Sequence, residues 1–146
     1  MIYTDNTKRA MKLCFEAHKY QVDKSGLPYV FHPFHLAEQM EDEMTTVTAL
    51  LHDVIEDTSY TLQDLAQLGF PAVVLEALAL LTHDPAVPYM DYVLQIRENP
   101  IARTVKLADL RHNSDISRLD YVDERAKQRV RKYQEAIRLL EEVSHV

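Results

Sequence analysis

Four residues with metal-ligand chemistry stand inside otherwise apolar runs: His32 beside Pro33, the adjacent pair His52-Asp53 closing VTALLHD, and Asp109 inside VKLADLRHN. Two imidazoles and two carboxylates suit a borderline divalent ion such as Mn²⁺, Fe²⁺, Co²⁺ or Zn²⁺. In an octahedral shell they leave two positions for water and a phosphate oxygen. Such a set is hydrolytic, because the ion lowers the pKa of its water and neutralises charge developing on phosphorus. His52-Asp53 alone also reads as an ordinary satisfied polar pair at a buried helix end. The wider set of four favours a metal.

Two further spacings join this set. Glu56 follows His52 by four residues, so on a continuing helix it stands one turn further along the same face and points past the metal toward substrate, flanked by Asp57 and Thr58. Lys106, Asp109 and Asn113 are spaced by three and then four. A helix presents them as successive rungs: a cation for phosphate, a metal ligand, and a neutral amide to hold a water or leaving group. Of the remaining histidines, His18, His35 and His83 read as packing or solvation near helix ends, and His145 as tail.

The elements that must position these groups read as helices throughout. Apolar residues recur at helical spacing in nearly every segment, with Thr, Asp or Pro at the starts, giving seven or eight helices. The first is expected from about Asn6 to Tyr20, capped by Thr4 or Asp5, with Ala10, Leu13, Cys14 and Ala17 on one stripe. A loop follows at 23–29. Pro33 is expected as the first residue of a helix reaching Met40. The helix from Thr45 to about Val54 is nearly all apolar and should form the centre of the core. Thr61 and Asp64 have capping-box spacing for a short helix to Leu68. Pro71 opens a helix through about Leu81, 82–88 is a loop, and further helices cover Met90–Arg97 and Pro100 to about Ser114. The last, roughly Val122 to Val143, is amphipathic, with Val130, Tyr133, Ile137 and Leu140 inward. It could pack internally or against a second copy, and self-association is the expectation.

Composition narrows the class. The 146 residues are of single-domain size, 47% are hydrophobic and 27% charged, which is ordinary for a globular chain. Only two glycines occur, few for a protein of many tight turns, and helices are favoured on that count too. A lone Cys14 and no signal-like start suggest a cytoplasmic setting, and no run reaches the ~18 apolar residues of a membrane span. A net charge of −7 disfavours nucleic-acid polymers but leaves small anionic substrates open.

At these same residues the sequence resembles the HD-domain superfamily, and more narrowly the hydrolase domain of the RelA/SpoT type and its small stand-alone relatives. The resemblance runs from about Met11 to Leu119 and rests on GLPYVFHP (26–33), ALLHDVIEDT (49–58) and NPIARTVKLADLRHN (99–113), with HDxxEDT intact. It implies an all-α, compact multi-helix HD-domain fold spanning 1–146 as one domain, Mn²⁺ as the usual ion, and removal of the 3′-pyrophosphate from guanosine tetra- or pentaphosphate. It implies His32, His52, Asp53 and Asp109 as metal ligands, Glu56 and Asp57 as the acidic pair that activates or orients water, and Asn113 as the amide near metal and substrate. Lys24 and Tyr29 match the loop lining the nucleotide pocket. One departure stands out: those hydrolases commonly have Arg-Lys where this chain has Asp23-Lys24, and an aspartate neither stacks on a purine nor answers phosphate. The sequence ends soon after this region, so hydrolysis without a synthetase activity is expected.

Two other readings compete with a pyrophosphohydrolase. One is a phosphomonoesterase acting on a deoxynucleoside 5′-monophosphate or a dinucleotide phosphate. The other is a non-catalytic metal or nucleotide-binding module, against which the intact Glu56, Asp57 and Asn113 argue.

Overall fold

The structure, a computed structural model, describes residues 1–142. Its helices are α1 (Asp5–His18), α2 (Phe31–Glu38), α3 (Glu43–Leu51), α4 (Val54–Asp57), α5 (Leu62–Gln67), α6 (Ala72–Leu81), α7 (Tyr89–Ile96), α8 (Pro100–Asn113) and α9 (Glu124–Glu141), with a 3₁₀ turn at Ile116–Arg118. Among the described residues there is no strand, only an isolated bridge between Val22 and Pro28. The all-α expectation holds. Val143, the expected end of the last helix, and His145 lie outside the described residues.

Most helix starts follow from local chemistry. Thr4 caps α1 and Thr61 caps α5, each in a reciprocal capping box, with Asp64 completing the second. Asp42, Asn99 and Asp123 accept backbone N–H groups at the starts of α3, α8 and α9. Gly69 adopts φ 85° just after α5, where Phe70 N–H returns to Leu65 O at 3.3 Å, a left-handed helix stop. Two expectations need correction. Pro33 is the third residue of α2 rather than its first, which costs nothing because N–H groups of the first turn have no helical acceptor. The helix expected over 45–54 is two helices: α3 ends at Leu51 and the chain resumes helix at Val54, with Asp53 at φ −106°, ψ 0° between them.

That break has a geometric reason. On one continuous helix, adjacent side chains diverge by about 100° and could not meet at a point. The break turns them together, so that His52 Nε2 and Asp53 Oδ2 lie 3.0 Å apart.

Every residue of α3 from Thr45 to Leu51 is buried, and the helix packs against α1, α2, α6 and α8. Its threonines keep their hydroxyls satisfied on the preceding turn, Thr46 donating to Asp42 O at 2.6 Å and Thr48 to Met44 O at 2.8 Å. Leu50 and Leu51 meet Leu36, Leu78 and Leu110 in one continuous core. α9 lies across α7 and α8; Leu140 is fully buried, Tyr133 and Ile137 pack against the core, and Val130 lines a cavity. No helix among the described residues is long and apolar enough to cross a membrane.

Leu50→Ala should cost about 2–5 kcal/mol of unfolding free energy in a urea titration, as expected for a fully buried leucine. A loss below about 1 kcal/mol would show that the core is not built on α3.

Candidate metal centre

Three of the four ligands named from sequence converge. His32 from α2, His52 at the end of α3 and Asp109 from α8 are all buried, and each offers a ligand atom within 4.8 Å of the other two. Asp53, the fourth, adjoins this group through His52, and its carboxylate also accepts the hydroxyl hydrogen of Tyr29.

The hydrogen bonds leave the cluster short of positive charge. His52 Nδ1 lies 2.7 Å from Ala49 O, so Nδ1 carries the proton and donates it there. That leaves Nε2 as the His52 ring atom turned to the cluster. It is buried, makes no hydrogen bond, and faces Asp53 Oδ2 at 3.0 Å and Asp109 Oδ1 at 3.6 Å. Between these oxygens Nε2 needs a positive charge, either a proton on the ring or a metal ion at its lone pair, and a divalent ion fits this donor set. His32 repeats the pattern: Nε2 is 2.9 Å from Asp109 Oδ1, while Nδ1 is 2.7 Å from Nδ1 of His112. Ligation through Nε2 places the His32 proton on Nδ1, where His112 accepts it.

The pKa shifts describe the same balance. Burial opposes a charge on His52, but the carboxylates of Asp53 and Asp109 outweigh it and raise its pKa well above the ordinary imidazole value. Burial also disfavours ionised Asp109, yet Lys106, His32 and His52 hold it well below the usual carboxylate range. His112 is pushed down to about 4 by burial and by Arg118 and His32, so it is neutral and can accept from His32.

The rungs of α8 come together as expected. Lys106 Nζ donates to Asp109 Oδ2 at 3.0 Å, and Asn113 Nδ2 donates to Asp109 Oδ1 at 3.0 Å. Both side chains therefore hold the Asp109 carboxylate, and this bond takes one of the three hydrogens of the Lys106 ammonium. Glu56 differs more. Because the helix breaks before Val54, it does not stand one turn beyond His52 on a shared face; it comes from α4, and its carboxylate accepts the backbone N–H of His83. Asp57 beside it is pushed up to about 6 by burial and by Asp53 and Glu56.

A cavity of about 440 Å³ opens beside the cluster, lined by Lys24, Ser25, Tyr29, His32 and Asn113 on one side and by Arg118, Arg129 and Tyr133 on the other. The loop carrying Lys24 is fastened in place. Asp23 Oδ1 accepts from Ser25 N–H at 2.9 Å and Leu27 N–H at 3.0 Å, and Ser25 Oγ donates to Arg118 O at 2.8 Å. Asp23 Oδ2 faces Arg118 Nη2 at 3.9 Å. The departure at Asp23 thus acquires a role: the aspartate shapes the turn and attracts a guanidinium delivered from the 3₁₀ turn.

Sequence reasoning missed several of these residues. His112 carried a usable signal, since a histidine three residues after Asp109 shares its helical face. His18 is buried, as its packing reading expects, and in addition its Nδ1 lies 2.8 Å from Gln21 Oε1, and Gln21 Nε2 donates to Asp57 O at 3.0 Å, tying the end of α1 to the acidic pair. Arg118 and Arg129 had no local signature. His35 stacks on His112 with ring centres 4.1 Å apart.

A buried His/His/Asp cluster on broken helices beside a basic cavity defines a helical metal-site domain, and the comparisons give its kin. No family model matches the chain. It is 34% identical over 114 residues to the mouse protein named guanosine-3′,5′-bis(diphosphate) 3′-pyrophosphohydrolase MESH1, covering 68% of this chain and 63% of that one. It is 46% identical over 65 residues to the Escherichia coli bifunctional (p)ppGpp synthase/hydrolase SpoT, covering 42% of this chain and 9% of that one. A Myxococcus xanthus GTP pyrophosphokinase is 32% identical over 143 residues, or 86% of this chain, but the match spans only 19% of that protein. A solved structure of a metazoan orthologue of SpoT, described as hydrolysing ppGpp, has a TM-score of 0.82 over 99% of this chain and 90% of its own, at 22% identity, which shows a shared fold. The resemblance carried by the three motifs therefore holds: the chain is similar to RelA/SpoT-type hydrolases and their stand-alone relatives.

Mn²⁺ binding followed by calorimetry should be lost in Asp109→Ala and retained in Lys24→Ala. Affinity should rise with pH, because the proton drawn onto His52 by two carboxylates competes with the ion and leaves as pH increases. Equal Mn²⁺ affinity for wild type and Asp109→Ala would place the metal elsewhere.

Proposed function

We propose that this chain is a metal-dependent phosphohydrolase that removes the 3′-pyrophosphate from guanosine 3′,5′-bis(diphosphate) or a close analogue. One observation carries the reading: the buried His32–His52–Asp109 cluster, whose ligand atoms lie within 4.8 Å of one another, lies against a cavity whose polar walls include Lys24, Arg118 and Arg129. The names of the mouse and Escherichia coli relatives support the substrate.

His32, His52 and Asp109, with Asp53 adjoining, would hold a divalent ion, Mn²⁺ being the one the resemblance implies. Bound there, such an ion supplies charge neutralisation on phosphorus and a more acidic water. The chain's own residues do the rest. Asn113 and Lys106 fix the Asp109 carboxylate from two sides. Tyr29 holds Asp53 by its hydroxyl and walls the cavity. Glu56, steadied by the His83 backbone, is the general base of the acidic pair, and Asp57 is its partner. Lys24, Arg118 and Arg129 answer the phosphates of the nucleotide. The chain acts as one domain in the cytoplasm on a small phosphorylated nucleotide, and self-association of copies stays part of this proposal.

Incubation of Mn²⁺-loaded protein with guanosine 3′,5′-bis(diphosphate) should release pyrophosphate. Glu56→Ala should keep the metal and lose about 10²–10⁴ in kcat, the range for a removed general base. Orthophosphate as the released product would make the chain a phosphomonoesterase, and binding without turnover across a nucleotide panel would make it a non-catalytic module.

A further inference from the structure

Near Lys106, another polar group is left without a partner among the described residues. The hydroxyl of Tyr89, at the start of α7, is buried and makes no hydrogen bond. Two lysines approach its ring. Lys132 Nζ, from α9, lies 4.1 Å from the centre of the Tyr89 ring, and Lys106 Nζ lies 6.0 Å from it. Tyr133, whose ring centre is 6.5 Å away, joins this group to the wall of the cavity.

The arrangement is rich in donors and poor in acceptors. A phenol offers one hydrogen and each ammonium three. Among the described residues the only acceptor bonded to any of them is Asp109 Oδ2, at 3.0 Å from Lys106. Lys132 makes no ion pair among the described residues and sits on the exposed side of α9, so it can turn toward an arriving group. Burial raises the pKa of Tyr89, so the phenol stays a donor. A buried hydroxyl left unpaired is unfavourable, and a group bearing only acceptors and negative charge relieves it. A phosphate is such a group.

We propose that Tyr89, Lys106 and Lys132 form a phosphate subsite adjoining the metal cluster, which receives the outer phosphate of a pyrophosphoryl group and so selects pyrophosphorylated substrates over phosphomonoesters. This rests on the phosphohydrolase reading. Lys106 links the two places: it touches the ligand Asp109 and it borders Tyr89. A pyrophosphoryl group at the cluster has a second phosphate for these donors to receive, which a monoester lacks. Tyr89 and Lys132 act there in binding and discrimination, while the cluster keeps the chemistry.

The test is calorimetric titration of inorganic pyrophosphate into the metal-free full chain, with Mn²⁺ titrated separately. Tyr89→Phe keeps the ring under Lys132 and removes only the hydroxyl; Lys132→Met keeps the stem and removes the charge. Each should weaken pyrophosphate binding by about ten-fold, as for a lost hydrogen bond to a charged group, with Mn²⁺ affinity unchanged. Pyrophosphate affinity within about two-fold of wild type in Lys132→Met, whose exposed position makes misfolding no explanation, overturns the subsite. Turnover then separates the two claims. A wild type that releases no pyrophosphate from any nucleotide sinks the functional reading, while the calorimetry still judges the subsite. In an active wild type, each variant should raise KM for the bis-diphosphate and leave kcat within about three-fold; a change confined to kcat counts against the proposal.

Discussion

Two carboxylates brought out of water beside the same imidazole nitrogen cannot both keep their charge unless positive charge is placed among them. Asp53 and Asp109 are in that position around His52 Nε2, and much of the structure answers it. Lys106 reaches Asp109 from the preceding helical turn, Asn113 from the following one, and Tyr29 donates to Asp53 from the loop before α2. Without an ion, His52 takes up a proton in its place. The site is thus arranged for a cation whether or not one is bound. Removing a single partner leaves a buried charge uncompensated, a costly change in any fold.

The scaffold meets this demand by interrupting its best helix. α3 is buried along nearly its full length and could have run on through Val54 and Ile55, both apolar. Stopping at Leu51 forgoes backbone hydrogen bonds, but it points adjacent side chains to one place and sends Glu56 and Asp57 off on a new axis. The His18–Gln21 pair then fastens that axis to α1 through the carbonyl of Asp57, and the backbone of His83 fastens it to the segment after α6. Two separate elements hold the acidic pair.

How much of this was legible depended on whether a residue's role is local. The convergence of His32, His52 and Asp109 could be read because they, like Asp53, are polar exceptions in apolar runs, and such exceptions need partners. Caps at Thr4 and Thr61 and the starts of α6 and α8 were legible for the same reason: each is satisfied within a few residues. The break after Leu51 was hidden, since an apolar run through Ile55 reads as one helix, and only the need to converge two neighbouring side chains interrupts it. Arg118, Arg129 and Tyr89 were hidden because their neighbours come from distant elements: Arg118 faces Asp23, and Tyr89 lies under Lys132. Asp23 was read as a loss relative to similar hydrolases, and the structure gives it a turn to shape and a guanidinium to attract.

The basic rim of the cavity also matters before any ligand arrives. The chain as a whole carries a net charge of −7, so most of its surface turns anions away, while Lys24, Arg118 and Arg129 border one opening. A polyphosphorylated molecule diffusing near the protein meets these three cations at the opening, a local field that orients encounters as well as accelerating them. Capture should therefore be fastest in dilute salt and slow as the Debye length shrinks toward the width of the opening.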